Sequence, residues 1–219
     1  MSPGTQALEA GKTHTSLITL LAALAAAGGF ALAAYLARGG FDPAQFSAVR
    51  VFPEPREVTV ELERGNGKSF GVDALRDRWT LMFFGFTHCP DICPTTMLRL
   101  AEIYKEMSPE YPALQVVFVS VDPDRDRGEI LDQYTSHFNA DFIGVTGDEA
   151  QLQTITRQFG VAYFREEAEE PGGDYGVGHT AAIMLVDPDL FYHAVLPAPH
   201  DAALITTELS QLLAHWDGG

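Results

Sequence analysis

The chain is 219 residues long and carries 30 Asp and Glu against 14 Lys and Arg, a formal net charge of −16. Such a charge excludes a phosphate-backbone binder, which needs clustered cations, so no nucleic-acid partner is expected. With 46% hydrophobic and 20% charged residues the chain is not disordered, and with 2 cysteines it is not a multi-disulfide scaffold.

Charge and hydropathy divide the chain. Residues 1–50 carry Lys12, Arg38 and Arg50 against Glu9 and Asp42, so nearly all the acidity lies beyond residue 50. Thr13–Ala37 contains no Asp, Glu, Lys or Arg. Leu17–Ala37 would span about 31 Å as a helix at about 1.5 Å per residue, which matches a hydrocarbon core of about 30 Å. A signal peptide has a shorter apolar stretch, so one transmembrane anchor over 17–37 is expected after a tail at 1–16. Ala31-Leu32-Ala33 leaves a cleaved signal as the alternative. The first 16 residues lack Arg, against a mitochondrial transit peptide, and Lys12 before the span and Arg38 after it barely decide its orientation. Anchor or signal, the remainder is expected outside the cytoplasm.

Residues 38–56, with Pro43, Pro53 and Pro55, read as a linker to a domain over 57–219. Glu57–Leu62 alternates polar and apolar residues, a strand with one wet face. Gly65-Asn66-Gly67 turns it into a hairpin with Lys68–Gly71. Trp79–Phe86 is continuously apolar, the pattern of a central strand buried on both faces. Pro94 opens a helix over Thr95–Met107, Leu114–Val121 is a second buried strand, and Asp122-Pro123-Asp124 breaks it. Helices follow over Arg127–Phe138 and Asp148–Phe159, the second with Asp148 as N-cap. Val161–Phe164 reads as a short strand and Arg165–Gly178 as an acidic, Gly-rich loop. Ala181–Val186 and Leu190–Leu196 form a hairpin around Asp187-Pro188-Asp189, and Asp201 caps a last helix to about His215. Strands alternating with helices, plus a terminal hairpin, give an α/β domain with a mixed sheet.

Cys89 and Cys93 are the only cysteines, and they fall between a buried strand and the helix behind it. Open α/β sheets bind ligands at that edge. The helix amino terminus favours thiolate over thiol at Cys93. Sulfurs four residues apart across a helix start permit either a disulfide or chelation of one ion. Among the seven histidines, His14 precedes the apolar span, His215 ends the last helix, and His137 sits on a helix. His179 ends the flexible loop directly before a strand, a place from which it can reach the cysteines; His88 adjoins Cys89, and His193 and His200 complete the set. Two thiolates and an imidazole suit Cu(I), and also Cu(II) and Zn(II), although structural zinc normally takes four protein ligands. The bland reading is a small stabilising disulfide.

FFGFTHCPDICP (Phe83–Pro94), SVDPDRD (Ser120–Asp126), FIGVTG (Phe142–Gly147) and DYGVGHTAAIMLVDP (Asp174–Pro188) resemble, in order and spacing, the Sco/SenC family of copper-delivery proteins. The resemblance covers about residues 57–214. It implies a membrane anchor followed by a thioredoxin-like domain. It implies Cys89, Cys93 and His179 as copper ligands, with Asp122 close to the site as an orienting or loop-shaping residue. It also implies a role in assembling the dinuclear copper centre of cytochrome c oxidase. Such a protein would stand between a copper donor and the copper-accepting oxidase subunit, anchored by a single pass in the cell inner membrane with its domain on the periplasmic side. The alternative is a thiol–disulfide oxidoreductase that keeps the target cysteines reduced, cycling the same pair. A peroxidase would need a cation beside one cysteine, and the motif loop contains no Arg or Lys. The chain departs from the family pattern at Gly178-His179-Thr180, where Asp-His-Ser is common, and at Leu190, where Gly commonly follows the Asp-Pro-Asp turn.

Overall fold

The computed structural model describes residues 42–165 and 175–217, with Ala23, Ala25, Ala26, Gly28 and Gly29 as isolated helical positions. The expected anchor over 17–37 therefore lies, but for those five positions, outside the described residues. Among the described residues no helix is long and apolar enough to cross a membrane.

Residues 43–219 form one compact unit. Its strands are β1 (Arg50–Glu57), β2 (Glu61–Arg64), β3 (Ser69–Gly71), β4 (Thr80–Gly85), β5 (Gln115–Ser120), β6 (Ile143–Thr146), β7 (Tyr163–Arg165), β8 (Val177–His179), β9 (Ala182–Val186) and β10 (Phe191–Pro197). Eight of them make one mixed sheet in the order β1-β10-β9-β4-β5-β6-β2-β3, and β7 pairs with β8 alone. The helices are α1 (Ile92–Met107), α2 (Glu129–Phe138), α3 (Glu149–Phe159) and α4 (Ala202–Asp217).

The apolar run at Trp79–Phe86 forms β4, parallel to β5 and antiparallel to β9, with every residue buried. Its side chains alternate between the two faces of the sheet. Phe83 lies 6.1 Å from the Phe118 ring, which in turn lies 5.2 Å from Tyr134 of α2. Phe84 lies 5.5 Å from Phe159 of α3. Asp148 caps α3 reciprocally: its side chain accepts from the Gln151 amide while Gln151 accepts from the Asp148 amide.

Two expected elements differ. The Pro-rich stretch expected as linker becomes, over Arg50–Glu57, an edge strand antiparallel to β10. Pro53 and Pro55 fit because the register shifts between Val51 and Arg56, where no ladder bonds are demanded of them. The single strand expected over Glu57–Leu62 is broken at Val58–Val60. There the chain leaves the β10 edge and rejoins the sheet beside β6. Val58 and Val60 stay buried, while Thr59 donates to Gln158 of α3 at 2.8 Å and its carbonyl accepts from the same side chain at 3.0 Å. The residue after the Asp187-Pro188-Asp189 turn needs a left-handed backbone, and Leu190 adopts it at φ 73°.

The start of the domain is clasped by Glu208 of α4. Its carboxylate accepts from the Ser47 amide and hydroxyl at 2.9 and 3.0 Å, and from the Ala48 and Val49 amides at 2.9 Å each. Burial by itself would raise the Glu208 pKa, but these donors outweigh it and hold the group below its ordinary value. A carboxylate with a depressed folded pKa stabilises above its unfolded pKa, and that contribution is lost as pH falls through the folded value. Glu208→Ala should cost about 2 kcal/mol at neutral pH, because three backbone amides, the Val49 one buried, lose their acceptor. Thermal melts of the two proteins should differ at pH 7 and converge at low pH.

Candidate functional site

Strand β4 ends at Gly85, and the chain turns through Thr87-His88-Cys89-Pro90-Asp91 into α1. Cys93 lies one residue inside that helix, fully buried, and Cys89 is half-buried on the loop. They are not joined in a disulfide. The Cys93 amide donates to the Cys89 sulfur at 3.4 Å, so the helix amino terminus holds the first cysteine close to the second.

The space for Cys93 exists because residue 85 has no side chain. A Cβ there would stand 2.8 Å from the Cys93 sulfur and 2.9 Å from the Phe118 ring. Burial dominates the chemistry of this thiol. It pushes the Cys93 pKa well above its ordinary value, with Cys89 and Asp126 adding to the rise and the Phe86 backbone opposing it. The expectation that the helix terminus would favour thiolate at Cys93 is thereby corrected. A terminal dipole acts through partial charges, whereas exclusion of water penalises the whole anion.

Asp126 fixes the approach to the cysteines. Fully buried, it accepts from the Thr87 amide at 2.7 Å, the Thr87 hydroxyl at 2.5 Å and the Ser120 hydroxyl at 2.6 Å. It thus ties the motif loop to the end of β5. His88 Nδ1 sits 3.0 Å from the Thr87 hydroxyl and 3.7 Å from Asp126.

Asp122 is also fully buried. Its carboxylate accepts from the Tyr175 hydroxyl at 2.8 Å and from Arg125 Nε at 2.5 Å. The Arg125 guanidinium lies 3.8 Å over the Tyr175 ring, and Arg165 lies 4.6 Å from its centre. Asp122 therefore anchors the chain segment that leads into β8. His179 ends β8, its backbone paired with Tyr163 of β7; its side chain lies outside the described residues. Strand β9 pairs antiparallel with β4, Ile183 opposite Phe83, so the chain upstream of β9 heads toward the end of β4 that carries the cysteine loop. At Gly178 a Cβ would collide with the Phe164 ring, which lies across this hairpin. Glycine in place of the acid common at this position has that physical counterpart.

The other described histidines are engaged elsewhere. His193 pairs with Asp187 at 2.7 Å and packs on Trp216, and His200 contacts the Leu196 carbonyl at 3.2 Å. His137 is on α2 against Phe138, and His215 is in the last turn of α4. Among the described residues, and hence without the His179 side chain, no three His, Cys, Asp or Glu groups are placed to hold a metal.

Sequence reasoning missed Gly85, Asp126 and the Arg125–Tyr175 stack. Gly85 had a signal, a glycine within an otherwise apolar strand, which marks a close approach. Asp126 had none, since one more acid in an acidic turn looks solvated.

The SCO1/SenC family model matches residues 57–214. The chain belongs to this family. A Stutzerimonas stutzeri protein described as a putative copper-binding protein is 36% identical over 167 residues, 75% of this chain and 81% of that one. The mouse mitochondrial SCO2 homologue is 39% identical over 116 residues, 52% of this chain and 45% of its own length, so the chain spans about half of this mitochondrial relative. Among solved structures, Arabidopsis thaliana ScoI with copper bound superposes with a TM-score of 0.68 at 30% identity, covering 73% of this chain and 98% of that one. Yeast Sco1 with copper bound gives 0.64 at 28% identity, covering 72% and 88%. The mixed α/β, thioredoxin-like fold with its large sheet is thus the family's fold.

Proposed function

We propose that this SCO1/SenC protein is a membrane-tethered copper carrier. Cys89, Cys93 and His179 hold one copper ion as cargo and pass it by ligand exchange to the copper-accepting subunit of cytochrome c oxidase. The observation that carries this reading is the unbridged cysteine pair, with the Cys93 amide on the Cys89 sulfur at 3.4 Å, at the carboxyl edge of the sheet. Two soft sulfurs and an imidazole suit Cu(I), which accepts three ligands where structural zinc takes four. The copper-bound Arabidopsis and yeast relatives and the copper-binding description of the Stutzerimonas protein support the same cargo. Leu17–Ala37 is the anchor in this reading, in the cell inner membrane, with the domain on the periplasmic side receiving copper from a donor protein.

X-ray absorption of the copper-loaded domain tests the ligand set. Two sulfur neighbours and one nitrogen are expected, and a spectrum without sulfur rejects it. The pH dependence carries a second expectation. A thiol that is protonated before loading must release its proton to solvent as its sulfur binds copper, so apparent affinity rises about tenfold per pH unit for each such thiol while pH is below its pKa. Burial holds Cys93 protonated well above pH 7, so the rise should continue through neutral and mildly alkaline pH. Chelator-competition titrations should show this slope, and a flat profile means no thiol proton is displaced.

One observation favours a second reading. A half-buried Cys89 beside a fully buried Cys93 resembles an attacking and a resolving thiol. In that role the pair becomes a disulfide as a partner's disulfide becomes two thiols. His179→Ala separates the two, since it should abolish copper retention and leave disulfide reduction intact only if the second reading holds.

A further inference from the structure

Among the described residues, β7 and β8 pair only with each other and share no ladder with the eight-stranded sheet. The position of β8, and of His179 at its end, is therefore set by chain continuity into β9 and by side chains. Two of those side chains reach the same turn. Arg165 ends β7 opposite Val177 of β8 and donates to Asp124 at 2.7 Å. Tyr175, two residues before β8, donates its hydroxyl to Asp122 at 2.8 Å. The turn is itself fixed against the cysteine loop. The Val121 amide donates at 2.9 Å to the carbonyl of Gly85, where β4 ends and that loop begins. Arg125 closes the connection. Its Nε donates to Asp122 at 2.5 Å. Its guanidinium lies 3.8 Å from the centre of the Tyr175 ring and 5.8 Å from that of Phe86, the residue that leads into the loop. One cation thus lies against a ring at the root of the cysteine loop and a ring at the root of the His179 strand. Arginine suits that place because its flat face stacks on rings while its edge donates to a carboxylate.

We propose that Arg125 and Tyr175 are positioning residues for His179: their stack, seated on Asp122, holds the stem of β8 at the cysteine edge, so that the imidazole is presented to copper held by the two sulfurs. The inference rests on the copper reading above. A ligand carried on a hairpin with no ladder to the sheet loses conformational freedom when it binds, and that loss weakens the binding. The stack orders the stem before copper arrives, so less freedom remains to be lost.

Tyr175→Leu keeps an apolar side chain and removes both ring and hydroxyl, whereas Tyr175→Phe removes the hydroxyl alone. Three readouts on the full-length protein test the idea. They are amide hydrogen exchange at residues 177–179 without metal, the Cu(I) dissociation constant by chelator competition, and pulsed electron paramagnetic resonance with one equivalent of Cu(II), which registers the remote nitrogen of a bound imidazole. Tyr175→Leu should speed the exchange and weaken Cu(I) binding about tenfold. It should also remove most of the imidazole signal while the sulfur-to-copper charge-transfer band persists. Tyr175→Phe keeps the stack and should lose less on each readout. Unchanged exchange or a full imidazole signal in Tyr175→Leu overturns the proposal. So does loss of the charge-transfer band together with the imidazole signal, which would show that the residue supports the whole site and not His179. A Tyr175→Phe protein as weak as Tyr175→Leu also overturns it, because the stack would then be idle. If the unsubstituted protein takes up no copper, or takes it up without an imidazole signal, the copper reading fails and this inference fails with it. If it shows the signal and Tyr175→Leu shows it equally, only the inference fails.

Discussion

Gly85→Ala should lower stability by about 1–3 kcal/mol and weaken copper binding by at least about tenfold. The added methyl group has nowhere to go. It would meet the Cys93 sulfur at 2.8 Å and the Phe118 ring at 2.9 Å, and both groups are fully buried. Cys93 has a single side-chain torsion and sits within a helix, so its sulfur escapes only by changing rotamer or by shifting the start of α1. Either movement separates it from Cys89. Phe118 cannot yield freely, because its other side carries Tyr134. Chemical denaturation would report the stability change and Cu(I) competition the binding change. A variant that binds copper as tightly as the parent would show that the sulfur is not confined by Gly85.

Asp126→Ala should have the larger effect on folding, about 3–5 kcal/mol, a large share of the 5–15 kcal/mol typical of a domain. The carboxylate satisfies two donors on Thr87 and one on Ser120. Its removal leaves a backbone amide and two hydroxyls without their acceptor, and each stranded group costs about 1–3 kcal/mol. The Thr87 bonds tie the cysteine loop to Asp126, and Ser120 ties Asp126 to the end of β5, so the same change should loosen the loop. Denaturant midpoints would measure the stability, and hydrogen exchange at residues 87–91 the loop. Asp126→Asn should fall between the two proteins, because a carboxamide accepts at its oxygen but presents a donor to whichever partner meets its nitrogen. If Asp126→Ala melts like the parent, this cluster does not hold the loop.

Strands β4 and β5 were legible because burial on both faces demands continuous apolar sequence, and Trp79–Phe86 and Leu114–Val121 are such runs. The cysteine pair was legible because its spacing is short and its place between a buried strand and a helix is a local property. Helix α3 was legible from its own cap, Asp148, which the structure confirms. The strand nature of Arg50–Glu57 was hidden because two prolines count against any strand until an edge position is known. The break at Val58–Val60 was hidden because alternation reports which side chains are buried, not which neighbour the backbone pairs with.

Sequence alone determined the two sulfurs, the elements that flank them, and the class of ion they suit, because those properties depend on residue type and on short spacing. Tertiary structure decided the rest: that Gly85 leaves room for the Cys93 sulfur, that Asp126 holds the loop from 39 residues away in the chain, and that Asp122 anchors Tyr175 ahead of His179. It also decided that Cys93 is held as a thiol. Burial depends on everything packed around a group, including Phe118 from the neighbouring strand, and no local pattern in the chain records that.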